Sequence, residues 1–290
     1  MKTRSDYIET NEPIKLSTSN GFKSILFNFI NVFKSISHKW IAIIVFMLVW
    51  ELLPTIGVVN PMFIPSPTSI ATAMWSLTIT GILPLNSIYT LARIFIAVGI
   101  ALLVAIPLGF LLGGFFKNFE KALNPLLNMF SNVNALTLFH VFIILLGISD
   151  ISMIGAVAWA AQWPMLIHTV RGVKEVDPDI INVARTAGLG KFQIFWQVQI
   201  PAALPTIFTG IRLGILFAFL MLMGVEMMGV SSGNGLGFLI MYFQMETMIP
   251  QMWAAIVVMS LLGIIVNFAL LRLETYLTSW KGDTMIFQER

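Results

Sequence analysis

Long apolar runs, each near the length of a bilayer-spanning helix, alternate with short polar segments along most of this 290-residue chain. A membrane helix needs about 20 mostly apolar residues. Six runs approach that length: 40–59, 88–115, 123–147, 150–169, 205–228 and 252–273. Charged residues make up only 11% of the chain, against about 25% of a soluble domain. The pattern predicts an all-α integral membrane protein with about six transmembrane helices in a lipid bilayer.

Positive charge divides the connecting segments into two classes. Lys and Arg occur before the first span and after the second, fourth and sixth spans. Segments 60–87, 148–150 and 229–251 contain neither residue. Because cytoplasmic loops carry the excess of Lys and Arg, both termini are expected in the cytoplasm. The prediction is a multi-pass membrane protein in three parts: a partly disordered leader (1–39), one transmembrane domain (40–280) and a cytoplasmic tail (281–290).

The outward segment 60–87 contains a helix start signal. Ser66 suits the N-cap and Pro67 the first helical position, and Ile70, Met74 and Leu77 follow at helical spacing. The segment predicts a short helix at the outer membrane interface.

A polar loop over about 171–204 contains a helix that is too polar to span. Asp177 is a suitable N-cap and Pro178 a suitable first residue, and an apolar patch around Ile180 follows. Gly188 and Gly190 break this helix, and Phe192, Phe195 and Val198 mark a second amphipathic piece. The apolar face can pack on the cytosolic ends of the spans or insert into a groove of another protein.

Two charged residues lie inside predicted spans toward the outer side. Glu51 and Arg93 have similar expected depths, and an isolated charge in lipid costs about 2.5–3.5 kcal/mol. They are therefore expected to face each other or to share a polar neighbour. Either they form a structural ion pair, or Arg93 attracts an anion in the outer part of a pathway.

A third charge, Glu226, precedes a glycine-rich segment that includes Gly235. Glycines permit left-handed backbone, so this segment predicts either a structural turn or a re-entrant outer gate. His140 and Gln162 are further candidates for lining a pathway, although contacts between helices explain them equally well. The chain has no cysteine and only three scattered histidines, so no metal site is expected.

Several motifs together resemble those of one protein family. Asn182-Val183-Ala184, Gly188 and Val198-Gln-Ile-Pro201 follow the spacing of the cytoplasmic loop of permease subunits of binding-protein-dependent ABC importers. Further segments resemble the nitrate/sulfonate/taurine branch: Trp50-Glu51, Phe63-Ile-Pro-Ser-Pro67, Gly210-Ile-Arg212 and Glu226-Met-Met-Gly229. One departure lies at the third span, where Asn132, Asn134, Ala135 and His140 stand at positions in which that branch usually has prolines.

The resemblance implies a type I importer permease that forms half of a solute pathway. Its implied partners are a second permease subunit, two cytosolic ATPase subunits that bind ATP and Mg²⁺, and an external solute-binding protein; no nucleic acid is implied. The loop would be the coupling helix that docks on the ATPase, with docking residues Asp177, Ile180, Asn182, Ala184, Gly188, Phe192 and Pro201. The implied solute is a small anion or organic oxyanion such as nitrate, a sulfonate, taurine or bicarbonate.

Two other functions compete with this interpretation. An ion-coupled secondary transporter would need acids near the midplane, for which Glu51 and Glu226 are the candidates. A membrane enzyme would need a cluster of catalytic side chains, and the sequence shows none. The sequence also lacks the Gly-x-x-x-x-Gly-Lys-[Ser/Thr] motif of a nucleotide site, so ATP is expected on partner subunits only, with no cofactor in this chain.

Overall fold

The computed structural model describes residues 41–115, 117–228 and 233–277, and every regular element in those ranges is a helix. The predicted leader (1–39) and tail (281–290) lie outside the described residues. The chain divides into two units after Val59. The described part of the first unit contains helix α1 (Ile41–Thr55), which ends four residues before the predicted limit of the first span.

The second unit starts at Asn60, and its described residues form ten helices. These are α2 (Pro67–Ile79), α3 (Ile82–Phe110), α4 (Lys117–Ser131), α5 (Ala135–Leu146), α6 (Asp150–Lys174), α7 (Pro178–Thr186), α8 (Lys191–Ile194), α9 (Ile200–Met227), α10 (Leu236–Met245) and α11 (Ile249–Leu277). Two π-helical turns, Leu111–Phe115 and Phe195–Gln199, extend α3 and join α8 to α9.

Helix α6 forms the centre of this unit, between α3 and α9. Small residues permit the close approach: a Cβ added to Gly109 of α3 would lie 2.5 Å from Thr169, and one added to Gly210 of α9 would lie 2.5 Å from His168. Ala156 and Ala161 of α6 are fully buried. Such small-residue contacts hold membrane helices together, because lipid provides no hydrophobic force between them.

Among the described residues, three helices are long and apolar enough to cross a membrane: Ile82–Gly114, Lys191–Met227 and Ile249–Leu277. The pair α4–α5 makes a fourth if it is one span. Helix α6 has 25 residues, but polar residues such as Gln162 make it less apolar, and α1 is shorter. The six-span count therefore stays a prediction for these two helices.

The predicted span over 123–147 is not one continuous helix, because α4 and α5 meet at an angle of 86°. Helix α4 ends at Ser131, and Asn134 starts α5 by accepting a hydrogen bond from the Leu136 N–H at 2.9 Å. The apolar residues on both sides concealed these two helix ends.

The bent pair nevertheless follows α6 from one end to the other. Glu120 near the start of α4 pairs with Lys174 at the last residue of α6. Phe130 stacks on Trp163 in the middle of α6, and the Phe142 carbonyl of α5 accepts a hydrogen bond from Ser152 near its start. These successive contacts indicate a single broken span.

Two local predictions have different outcomes. The predicted short helix is confirmed as α2, with Ser66 Oγ accepting a hydrogen bond from the Ser69 N–H at 3.3 Å, while its position at the outer interface stays a prediction. The second amphipathic piece marked by Phe192, Phe195 and Val198 is helical, but it does not end before the next span: residues from Lys191 run without interruption into α9 as far as Met227. The buried Phe195 fixes this joint against Phe110 of α3.

Candidate functional site

Arg93 on α3 lies at the centre of a buried polar network. Its Nη1 donates to Glu226 Oε1 and to the Asn234 carbonyl, both at 2.7 Å, and its Nη2 donates to Asp150 Oδ1 at 2.9 Å. Arg93 is 3% exposed and Glu226 on α9 is fully buried, whereas the Asp150 side chain at the start of α6 is 44% exposed. One guanidinium thus connects α3, α6, α9 and the segment before α10.

The same network caps the N-terminus of α10. The N–H groups of Gly235, Leu236 and Gly237 donate to Asn86 Oδ1, Thr90 Oγ1 and Glu226 Oε2, at 2.7, 2.9 and 2.9 Å. The first N–H groups of a helix lack partners within the helix and carry partial positive charge. The carboxylate of Glu226 therefore balances both the positive charge of Arg93 and the partial positive charge at the start of α10.

Glycines allow this network to close. Gly235 has φ +123°, and a Cβ there would lie 2.5 Å from Glu226 Oε1 and 2.7 Å from Arg93 Nη1. At Gly237, a Cβ would lie 2.6 Å from the Glu226 Cβ. This packing gives Gly235 a structural role, while the predicted gate stays a prediction, since 229–232 lie outside the described residues.

The partners of Arg93 differ from those considered in the sequence. Neither Glu226 nor Asp150 was expected beside it, although Asp150 is an acid at the start of a span in a segment without Lys or Arg. Glu51 belongs to the first unit, and its predicted relation to Arg93 stays a prediction. With two carboxylates bound to a buried guanidinium, the geometry favours the structural ion pair over a site that attracts an external anion.

The polar loop folds as a short helix with defined ends. Asp177 caps α7 by accepting a hydrogen bond from the Asp179 N–H at 2.8 Å. At the other end Gly188 has φ +84°, and the Leu189 N–H donates to the Ala184 carbonyl at 3.2 Å. This is a Schellman C-cap, which needs a left-handed residue after the helix.

The predicted docking residues divide between two faces of this loop. Ile180 and Phe192 are 50% and 67% exposed, and Asp177, Asn182 and Gly188 are exposed as well. Ala184 is buried, and Pro201 is half-buried in the first turn of α9. These two residues therefore shape the loop from inside.

Two exposed apolar residues were not among the predicted docking residues. Val183 is 68% exposed and Trp196 is 55% exposed, and the Trp196 ring lies 6.1 Å from that of Phe192. The helical spacing of Val183 after Ile180 was the available signal. Together the exposed apolar side chains Ile180, Val183, Phe192 and Trp196 form what we call the docking face.

A cavity of about 660 Å³ lies beside the break between α4 and α5. Residues 131–135 line one side, Trp163 and its neighbours on α6 line another, and Phe217 and Met221 of α9 contribute as well. We call this the break pocket. Its lining includes Asn132, Asn134 and Ala135, which stand where the nitrate/sulfonate/taurine branch usually has prolines. His140 and Gln162 are not in its lining.

The sequence matches a known family over much of its length. Residues 105–279 match the family described as binding-protein-dependent transport system inner membrane component. The putative aliphatic sulfonates transport permease protein SsuC of Bacillus subtilis is 32% identical over 82% of this chain and 86% of its own length. The taurine transport system permease protein TauC of Escherichia coli is 28% identical over 82% and 88%, and the nitrate import permease protein NrtB of Synechocystis is 28% identical over 81% and 86%.

The fold is also found in a solved structure. A chain of the MetNI methionine ABC transporter, in an inward-facing conformation, superposes with a TM-score of 0.55 at 20% identity. The match covers 65% of this chain and 93% of that chain. The similarity agrees with the expected type I importer architecture. The chain therefore belongs to the family of inner-membrane components of binding-protein-dependent transport systems and is a permease subunit of an ABC importer.

Proposed function

We propose that this chain forms half of a solute pathway and docks on a cytosolic ATPase through the docking face. The observation that carries the proposal is the exposure of four large apolar side chains on a polar loop. Such a surface gains free energy by inserting into a groove of a partner. Two ATPase subunits, a second permease subunit (the same chain or a paralogue) and an external solute-binding protein would complete the importer.

The division of labour follows from what this sequence contains. It has no phosphate-binding loop motif, so the partner ATPase would bind ATP and Mg²⁺ and supply the energy. In this arrangement the polar loop and both termini lie on the cytosolic side of the inner membrane. Membership in the importer family sets aside the alternative of an ion-coupled secondary transporter.

Docking is tested by changing Val183. The chain and the ATPase encoded by the neighbouring gene are co-expressed and reconstituted in nanodiscs. The affinity between the two proteins is then measured for wild type, Val183→Glu and Val183→Leu. Burying a valine is worth about 1.5–3 kcal/mol, so Val183→Glu should weaken binding at least about tenfold. Val183→Leu keeps an apolar side chain and should bind like wild type. Equal binding by the Glu variant would overturn the assignment of the docking face.

The relatives' names identify candidate solutes. Aliphatic sulfonates, taurine and nitrate are named for the three permeases above, and those names alone favour an oxyanion for this chain. At 28–32% identity the pathway lining can differ between relatives. The residues of the break pocket therefore bear directly on the solute class.

A further inference from the structure

The break pocket lies partway along the broken span, at a depth that a solute crossing the membrane would pass. Trp163 stands about midway between the two ends of α6, so the pocket is near the middle depth of the broken span. At this point the chain between α4 and α5 leaves the helix, and irregular backbone at membrane depth is tolerated where it lines a cavity. A volume of about 660 Å³ lies within the range of small-molecule sites.

The hydrogen-bonding groups of the pocket have fixed orientations. Asn132 Nδ2 donates to the Asn128 carbonyl at 2.7 Å, and Asn134 Oδ1 accepts from the Leu136 N–H. Because backbone partners fix which end of each amide is oxygen and which is nitrogen, the other ends are determined. Asn132 retains its oxygen, an acceptor, and Asn134 retains its amino group, a donor.

Apart from Ser131, whose hydroxyl donates to the Asn128 carbonyl at 2.9 Å, the rest of the lining is apolar or aromatic. Trp163 is held between Phe130, stacked at an interplanar angle of 10°, and Trp159, whose ring lies 5.2 Å away. Its indole N–H is buried and has no hydrogen-bond partner among the described residues. The described lining contains no Asp, Glu, Lys, Arg or His.

We propose that the break pocket binds the transported solute and selects an uncharged organic molecule that has an apolar body and carries both a hydrogen-bond donor and an acceptor. The solute's donor would reach Asn132 Oδ1, and its acceptor would reach Asn134 Nδ2. This inference rests on the proposed function, because it assumes that a solute crosses along α6.

An oxyanion fits this pocket less well. Neutral N–H groups can bind an anion, but such a site turns donors toward it, whereas here Asn132 contributes an acceptor oxygen to the lining as well. A fully ionised sulfonate has only acceptors, and it would leave Asn132 Oδ1 unpaired while losing its own hydration. No positive side chain in the described lining of this chain compensates that loss.

The test uses two probes of nearly equal shape. Benzenesulfonamide is neutral at pH 7 and has both donors and acceptors, whereas benzenesulfonate is an anion with acceptors only. Binding of each is measured by calorimetry to the chain in nanodiscs with its ATPase. We expect benzenesulfonamide to bind at least about tenfold more tightly, a difference of about 1.4 kcal/mol.

Two charge variants make the test specific. Asn132→Lys puts a cation in the pocket and should reverse the preference toward benzenesulfonate. Asn128→Lys, one helical turn earlier on α4 and outside the pocket lining, puts the same charge elsewhere and should leave the preference unchanged. Reversal by both variants would overturn the proposal, because a general effect of charge would then explain the result.

Failure of this inference is distinguishable from failure of the proposed function. If wild type binds benzenesulfonate as tightly, or binds neither probe while the complex assembles and hydrolyses ATP, the pocket assignment is overturned and the importer proposal survives. If the chain prefers benzenesulfonamide but does not associate with the ATPase, the pocket assignment is supported and the docking proposal fails.

Discussion

Glu226 shows how a single buried carboxylate can connect distant parts of a membrane protein. It binds Arg93 of α3, accepts from Thr90 at 3.0 Å and caps α10 through Gly237. A buried ion pair contributes little net stability, yet removing one partner typically costs about 3–5 kcal/mol, because the other charge is left uncompensated. The network is therefore best understood as a device that fixes which helices meet, and only secondarily as a source of stability.

Gly235→Ala tests this network without changing any charge. The added methyl would lie too close to Glu226 and Arg93. It would also strain the backbone, because Gly235 has a positive φ. Gly233→Ala is the matched control, because Gly233 also has positive φ (+79°) but has open space where the Cβ would be. Left-handed strain costs about 1–2 kcal/mol, whereas displacing the ion pair should raise the total for Gly235→Ala to at least about 3 kcal/mol.

The measurement is the thermal unfolding midpoint of both variants in nanodiscs. The midpoint of Gly235→Ala should fall well below that of Gly233→Ala. Equal shifts for the two variants would show that backbone strain alone matters at Gly235 and that the network tolerates displacement.

At the scale of helices, α7 depends on its two caps more than on its length. Nine residues are too few for a stable isolated helix in water, so Asp177 at one end and Gly188 at the other define where it starts and stops. The apolar residues then divide, with Ala184 toward the bundle and Ile180 and Val183 toward solvent.

Gly188→Ala tests the C-cap. The Cβ would meet nothing within 4 Å, so the cost is only the strain of positive φ, about 1 kcal/mol. If ATPase docking requires this end of α7 to be intact, affinity for the ATPase should fall up to about fivefold. Gly190→Ala is the control, because Gly190 has φ −68°, which alanine adopts freely. An equal loss in both variants would contradict the C-cap explanation.

Local signals in the sequence predicted the helix caps, but they could not predict contacts between residues that are far apart in the sequence. Ser66 and Asp177 act within three residues of their own positions, so their roles can be inferred from the neighbouring sequence. Arg93 and Glu226 are 133 residues apart, and their pairing depends on how α3 and α9 pack in the bundle. Equal depth suggested Glu51 as a partner for Arg93, which stays a prediction, but depth gave no reason to expect Glu226 beside Arg93.

The break after α4 is an intermediate case. Asn132 and Asn134 stand where the nitrate/sulfonate/taurine branch usually has prolines. Hydropathy averaged over a whole span, however, does not detect two polar residues at a helix junction. The Asn134 N-cap follows an ordinary rule, and applying that rule inside the apolar run would have divided the span.

For the whole molecule, the broken span determines which side of the membrane each loop faces. If α4 and α5 cross once, the start of α4 and the loop after α5 lie on opposite sides. If the pair turned back as a re-entrant loop, both would lie on the same side, and the inward and outward assignment of every later loop would invert. The contacts along α6 support a crossing, and the distribution of Lys and Arg predicts a cytoplasmic position for the start of α4.

Accessibility of single cysteines tests this topology, since the chain contains no cysteine of its own. Lys121→Cys lies near the start of α4, and Ile148→Cys lies in the loop before α6, where Ile148 is 74% exposed. In intact spheroplasts a membrane-impermeant maleimide should label the Ile148→Cys variant, whereas the Lys121→Cys variant should react only after permeabilisation. Val183→Cys, on the docking face, serves as the reference and should behave like Lys121→Cys. If neither Lys121→Cys nor Ile148→Cys were labelled until permeabilisation, the pair would instead be a re-entrant loop, and the break pocket would then open to one side only.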